Sequence, residues 1–231
     1  MARTDPLPAS GDDDALRVVR PGRVGYAQAL ANQREAADAL RAGRGPETLF
    51  LLTHPPVVTM GRRATLDHVL FSTEELAARG VEIVDTDRGG DVTFHGPGQV
   101  VGYPILDLRR RGLGAHTYLR FLETTLIGVL ATYGIEGFRD PLHTGVWTKH
   151  GKIAAMGIRV SAGVSLHGFA LNANTDLAYF GLIVPCGIEG RAVASMQQIL
   201  GRPIDIEELM DRIESAFRAP APAAEHKETL A

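Results

Sequence analysis

Lys152-Ile-Ala-Ala-Met-Gly-Ile-Arg-Val160 and Val164-Ser-Leu-His-Gly-Phe-Ala-Leu-Asn172 are two apolar, β-rich runs separated only by Ser161-Ala162-Gly163. So short a connection permits an antiparallel hairpin and forbids a parallel crossover, which needs a dozen residues or more. Strict alternation along the first run would put Lys152 on one face with Ala154, Met156, Ile158 and Val160. Upstream, Thr48–Thr53, Val57–Met60, Val81–Val84, Asp91–Phe94 and Val100–Leu106 read as further strands, punctuated by Gly and Pro. Leu16–Arg20 and Gly145–Thr148 add two more candidates.

Helices are fewer and lie between or after the strands. Tyr26–Arg41 has helical apolar spacing and stops at Gly43. Ser72 and Glu75 form a capping-box pattern ahead of a short helix that ends near Gly80. Tyr118, Leu119, Leu122, Leu126, Val129, Leu130 and Tyr133 mark a long helix stopped by Gly134, and Asp205 with Glu208 opens the last one. Strands that mostly follow one another, with helices to cover them, predict an α+β fold: a largely antiparallel mixed sheet flanked by helices.

Composition narrows the function classes. The chain has 231 residues, 45% hydrophobic and 22% charged, which excludes collagen-like, coiled-coil and wholly disordered proteins. Pro-, Gly- and Asp-rich residues 1–14 and Ala/Pro-rich residues 219–231 are expected to be disordered tails around a single domain over 15–218. A net charge of −3 gives no footprint for nucleic acid, and no apolar run reaches the roughly 18 residues of a membrane span. One cysteine excludes an intramolecular disulfide, and an aspartate run stands where a signal peptide would be apolar. A cytoplasmic protein is expected, and nothing in the pattern argues for assembly beyond a monomer.

Nucleotide motifs fail on inspection. Gly96-Pro97-Gly98-Gln99-Val100-Val101-Gly102 carries its last glycine one residue late for a dinucleotide loop, and Pro97 has no N–H for a phosphate. Gly151-Lys152 is followed by Ile153, so it is not a P-loop. The eight histidines show no metal-ligand spacing. Three features remain. Cys186 is either a small buried hydrophobe or a nucleophile, its flanking Pro185 and Gly187 leaving room beside the sulfur. Lys152 is either a strand-edge charge or a cation leaning into a cleft. Arg88-Gly89-Gly90-Asp91-Val92-Thr93-Phe94-His95, glycine-rich and polar, is either a bulged hairpin or a ligand wall, with Gly168-Phe169-Ala170 able to form a second wall.

In order along the chain, RGGDVTFHGPGQVVGYPILDLR, KIAAMGIRV, VSLHGFALNANTDL and PCGI resemble the octanoyltransferases of lipoate biosynthesis over about residues 16–215. The resemblance implies the fold of biotin- and lipoate-protein ligase catalytic domains. It implies transfer of octanoyl from octanoyl-acyl carrier protein to a lysine of lipoyl domains, in 2-oxoacid dehydrogenase E2 subunits and the glycine-cleavage H protein, with no cofactor and no metal. Cys186 matches the acyl-thioester nucleophile and Lys152 the lysine that activates it. Arg88–His95, Ala155-Met156-Gly157 and Gly168-Phe169-Ala170 match substrate-binding segments. Asp91 and Phe94 depart from the Gln and Tyr usual there, which leaves the shape of the acyl pocket open. The alternative on the same fold is an ATP-dependent lipoate or biotin-type ligase, which would need no cysteine. A Cys-His hydrolase using His95 or His167 is a third reading.

Overall fold

The computed structural model describes residues 16–184 and 192–219, so Cys186, the N-terminal tail and residues 220–231 lie outside the described residues. Among the described residues, ten strands and five α-helices follow one another from β1 (Arg17–Arg23) through α1 (Tyr26–Arg41), β2 (Thr48–Thr53), β3 (Val57–Met60), α2 (Thr73–Ala78), β4 (Glu82–Asp85), β5 (Val92–His95) and β6 (Gln99–Ile105). They continue with α3 (Ala115–Ala131), β7 (Phe138–Arg139), β8 (Val146–Thr148), β9 (Gly151–Ser161), β10 (Val164–Asn172), α4 (Met196–Leu200) and α5 (Ile206–Arg218). Seven strands make one sheet in the order β1-β2-β6-β10-β9-β8-β7, and β4-β3-β5 make a smaller one. Among the described strands, only β1–β2 and β3–β4 pair in parallel, each connected through a helix as a parallel connection requires, and an isolated parallel bridge joins Lys152 and Val193. The remaining pairings are antiparallel, as expected for a largely antiparallel mixed sheet.

The hairpin that decides the fold is tighter than its sequence suggests. Ser161 pairs with Val164, leaving a two-residue turn in which Ala162 (φ +49°) and Gly163 (φ +86°) are both left-handed. That is the mirror-image turn whose twist matches antiparallel strands. The end signals hold. The Ser72 hydroxyl accepts from the Glu75 N–H at 3.2 Å while Ser72 N–H donates to the Glu75 carboxylate at 2.8 Å. Asp205 accepts from the N–H groups of Glu207 and Glu208 at 2.9 and 3.2 Å, and Gly80 and Gly134 take positive φ where their helices end.

Apolar residues divide among three cores. One face of the large sheet packs Leu49, Leu51, Val100, Phe169 and Leu171 against Leu122, Leu126 and Val129 of α3 and Leu209, Ile213 and Phe217 of α5. The other face packs Phe50, Leu52, Val101, Leu166 and Ala170 against Ala29, Ala37 and Leu40 of α1. A third cluster, with Val58, Leu76, Val92, Phe94 and Phe180, lies on the small sheet. Period-2 patterning sorts β2 and β10 between the two sides of the large sheet.

Candidate active site

A cleft partly open to solvent lies between β9 and β10 of the large sheet and the segment entering β5. Its walls include Arg88, Gly90, Asp91, Val92, Thr93 and His95 from one side. Ala155, Met156 and Gly157 of β9 and Gly168, Phe169 and Ala170 of β10 form the other. The Arg88–His95 segment and the β9–β10 hairpin, distant from each other in sequence, therefore meet around one space. Two of the expected positions do not line it. Phe94 alternates away into the small-sheet core, stacked on Tyr179 with ring centroids 4.7 Å apart. Gly89 is a backbone contact: its N–H donates to the Ile158 carbonyl at 2.9 Å, and its own carbonyl accepts from Arg88 at 3.2 Å. Arg88 is buried, its guanidinium donating to the hydroxyl and carbonyl of Thr59 at 2.6–3.1 Å, so a cation is held beside the cleft.

One end of the cleft is polar, built from Tyr26 of α1, Tyr103 of β6, His95 and His167, with His54 behind them. The His54 Nδ1–H donates to the Val24 carbonyl at 2.6 Å, which leaves Nε2 to accept from the Tyr103 hydroxyl at 2.8 Å. That pattern suits a neutral ring, and burial lowers the His54 pKa to about 4. His95 is lowered to about 3 by burial and by the neighbouring His54, while its Nδ1 contacts the Gln99 side-chain oxygen at 2.8 Å. His167 Nε2 lies 2.6 Å from Asp87, and its Nδ1 lies 3.4 Å from the Tyr26 hydroxyl. Burial pushes His167 down and Asp87 opposes it. The Tyr26 phenol is raised to about 12 by burial, so it stays a neutral donor.

His167 has φ +58°, a left-handed conformation in the middle of β10 that costs a non-glycine residue about 1–3 kcal/mol. The strain turns its ring toward Asp87 and Tyr26, and Gln33 of α1 stabilises the turn by accepting from His167 N–H at 2.8 Å. Tyr26, His54 and Tyr103 were not among the sequence candidates. They are far apart in the chain: Tyr26 opens a segment that reads as ordinary helix, Tyr103 lies in one that reads as ordinary strand, and His54 begins the Pro55-Pro56 bend between two strands.

Lys152 requires a correction to its expected face. Trp147 pairs with Lys152 but Val146 pairs with Ala154, so Ile153 is an extra, unpaired residue in β9. Such a β-bulge reverses the alternation beyond it. Ile153 and Ala154 both pack in the α3/α5 core with Val146, with Met156 and Ile158 against it. Lys152 therefore lies on the opposite face, the one shared by the cleft residues Ala155 and Gly157, and not with Ala154, Met156, Ile158 and Val160. It is half-buried, with Nζ 5.5 Å from the centre of the Trp147 ring. Asp91 also has a defined place: Oδ1 accepts from Val92 N–H at 2.7 Å and Oδ2 lies 2.7 Å from His68 Nδ1.

The segment carrying Cys186 is anchored at both ends near these groups. On one side Val184 N–H donates to the His68 carbonyl at 2.9 Å. On the other, Lys152 N–H donates to the Ala192 carbonyl at 3.0 Å and Ala194 N–H to the Lys152 carbonyl at 2.9 Å.

Known proteins are similar to this chain at two levels, sequence and fold. The family model described as the lipoyl protein ligase A/B catalytic domain matches residues 25–218. An octanoyltransferase from Acidobacterium capsulatum is 50% identical over 202 residues, covering 81% of this chain and 82% of that protein. One from Rubrobacter xylanophilus is 50% identical over 207 residues, covering 88% and 93%. A bi-partite lipoate protein ligase from Thermoplasma acidophilum superposes with a TM-score of 0.65 at 15% identity, covering 88% of this chain and 82% of that one. At that identity the likeness speaks for the fold.

Proposed function

The chain belongs to the lipoyl protein ligase A/B catalytic-domain family, and from that premise we propose that it moves an octanoyl group from octanoyl-acyl carrier protein, through a thioester on Cys186, to a lysine of a lipoyl domain. It is an acyltransferase. The observation that carries the finer reading is the bulge at Ile153, which turns Lys152 to the cleft face while its backbone holds one end of the segment containing Cys186. The cleft supplies a wall of Ala155, Gly157, Gly168 and Ala170 for the acyl chain, and Arg88 with the His95–His167 cluster supplies its polar side.

The chemistry needs two proton transfers at Lys152. A thiol of ordinary pKa is only a few per cent thiolate at pH 7, so Cys186 requires a nearby cation. An ammonium about 4 Å away would favour the thiolate by about 1–4 kcal/mol. The thiolate attacks the carrier's thioester carbonyl, a new C–S bond forms, and the carrier's sulfur departs with a proton from Lys152. The incoming lipoyl-domain lysine, having released its ammonium proton to solvent, attacks the acyl-enzyme as a neutral amine, and the amine of Lys152 takes the second proton from its nitrogen. The amide forms, the Cys186 thiolate leaves, and Lys152 is an ammonium again. Exchange between thioesters is nearly balanced in energy, so the first step needs no ATP. Backbone N–H groups at Cys186 and Gly187 are assigned to the oxyanion.

Intact mass spectrometry after brief exposure to octanoyl-acyl carrier protein tests this. One octanoyl adduct is expected on the wild type and none on Cys186→Ser, with discharge on adding apo lipoyl domain. A folded wild-type protein that forms no adduct, yet modifies the lipoyl domain when given octanoate, ATP and Mg²⁺, would replace this reading by the ATP-dependent ligase.

A further inference from the structure

We propose that Gly145 and Trp147, at the head of β8, are positioning residues for Lys152. The claim rests on the reading of Lys152 as the cation beside the Cys186 thiol.

Gly145 has φ +135°, and a side chain there would occupy the space that Lys152 uses. A Cβ built on Gly145 would lie 2.5 Å from Lys152 Cε, 3.3 Å from its Nζ and 2.7 Å from the Ala154 carbonyl oxygen. The lysine stem thus lies across bare backbone, in a trough that alanine would fill. Trp147, directly opposite Lys152 in the strand pair, closes the other side with its indole 5.5 Å from Nζ. A ring face so placed attracts the ammonium.

Both walls of the trough are themselves held. Trp147 is buried, and its Nε1–H donates to the His143 carbonyl at 3.1 Å, which fixes the ring plane. Gly145 N–H donates to Glu123 of α3 at 3.0 Å. Glu123 is buried and paired with Arg120 at 2.7 Å and Arg139 at 3.2 Å. The bulge chooses the face that Lys152 takes; the trough and the ring choose where on that face its flexible stem comes to rest. Coulomb attraction falls inversely with separation, so letting the ammonium drift from about 4 to about 6 Å removes about a third of it.

The chain's one cysteine makes the test unambiguous, because alkylation by iodoacetamide, followed by intact mass from pH 5 to 9.5, reports Cys186 alone. The wild-type midpoint is expected below the ordinary thiol value of about 8.5, with Lys152→Met returning to it. Gly145→Ala and Trp147→Leu should each raise the midpoint by about half a pH unit or more, about a threefold loss of thiolate on the acid side. Trp147→Phe, which keeps an aromatic face, should stay near the wild type. A purely structural role would lower stability in urea and leave the alkylation midpoint in place. Alanine is strained at the φ of Gly145, so if that variant does not fold, Trp147→Leu decides. Folded variants that titrate with the wild type while Lys152→Met does not would overturn the positioning role. A Lys152→Met midpoint equal to the wild type would instead overturn the reading of Lys152 itself.

Discussion

Acidification from pH 7.5 to 5 should cost this protein several kcal/mol of stability through two histidines before its carboxylates begin to titrate. His54 and His95 are held neutral in the fold, with pKa values lowered from 6.5 to about 4 and about 3, chiefly by burial. A histidine with a depressed folded-state pKa contributes stability that is whole above pH 6.5. That contribution is lost as the pH falls, because the unfolded chain takes up a proton that the folded one refuses. Within that window each ring gives a slope of about 1.4 kcal/mol per pH unit, and at pH 5 the two together account for a loss of about 4 kcal/mol. Urea unfolding at pH 7.5, 6.5, 5.75 and 5 measures the slope. His54→Gln removes one titrating group, so its slope should be shallower by about 1.4 kcal/mol per pH unit, whatever it does to stability at pH 7.5. The comparison of slopes separates the proton from the packing and the lost Tyr103 hydrogen bond. A wild-type stability that is flat between pH 7.5 and 5, or a His54→Gln slope equal to the wild type's, would refute the argument that this cluster is neutral because it is buried.

Two further substitutions test the scaffold. Glu123→Ala should cost about 1–3 kcal/mol in urea unfolding, because the Gly145 N–H is left without its acceptor while the half-exposed Arg120 and Arg139 rehydrate; Glu123→Gln, which keeps an acceptor oxygen, should recover part of the loss. Asp205→Ala should cost about 1 kcal/mol by uncapping the Glu207 and Glu208 N–H groups of α5, with no effect on the pH of Cys186 alkylation.

Much of this protein is decided by interactions between residues near one another in the chain. Helix α1 runs over the bounds read from its spacing, the Ser72–Glu75 box and the Asp205 cap form as written, and the β9–β10 pair closes over its short turn. Such features depend on periodicity, capping and turn geometry, all of which act within a few residues. The short elements were not legible in this way: α4, β7 and the 3-10 turns at Leu66–His68 and Leu177–Leu182 have too few residues to show a period. The cleft-lining segments could be recognised as chemically unusual stretches, but their meeting around one space depends on β10 pairing with β6 and β5 with β3, partners far off in sequence.

Lys152 shows most clearly where local reading stops. Alternation is a sound rule for a strand taken alone, and it assigned Lys152 to the wrong face because a bulge belongs to a pair of strands: Ile153 is surplus only in relation to β8. The same holds for the histidine cluster. His54, His95 and His167 are ordinary imidazoles in the chain, and their neutrality is a property of desolvation that arises when α1, β6, β10 and the small sheet close around them. Residue identity and local spacing settle which groups are available and which elements carry them. The face a side chain takes across a bulge, and the protonation state that burial imposes on it, follow from long-range packing.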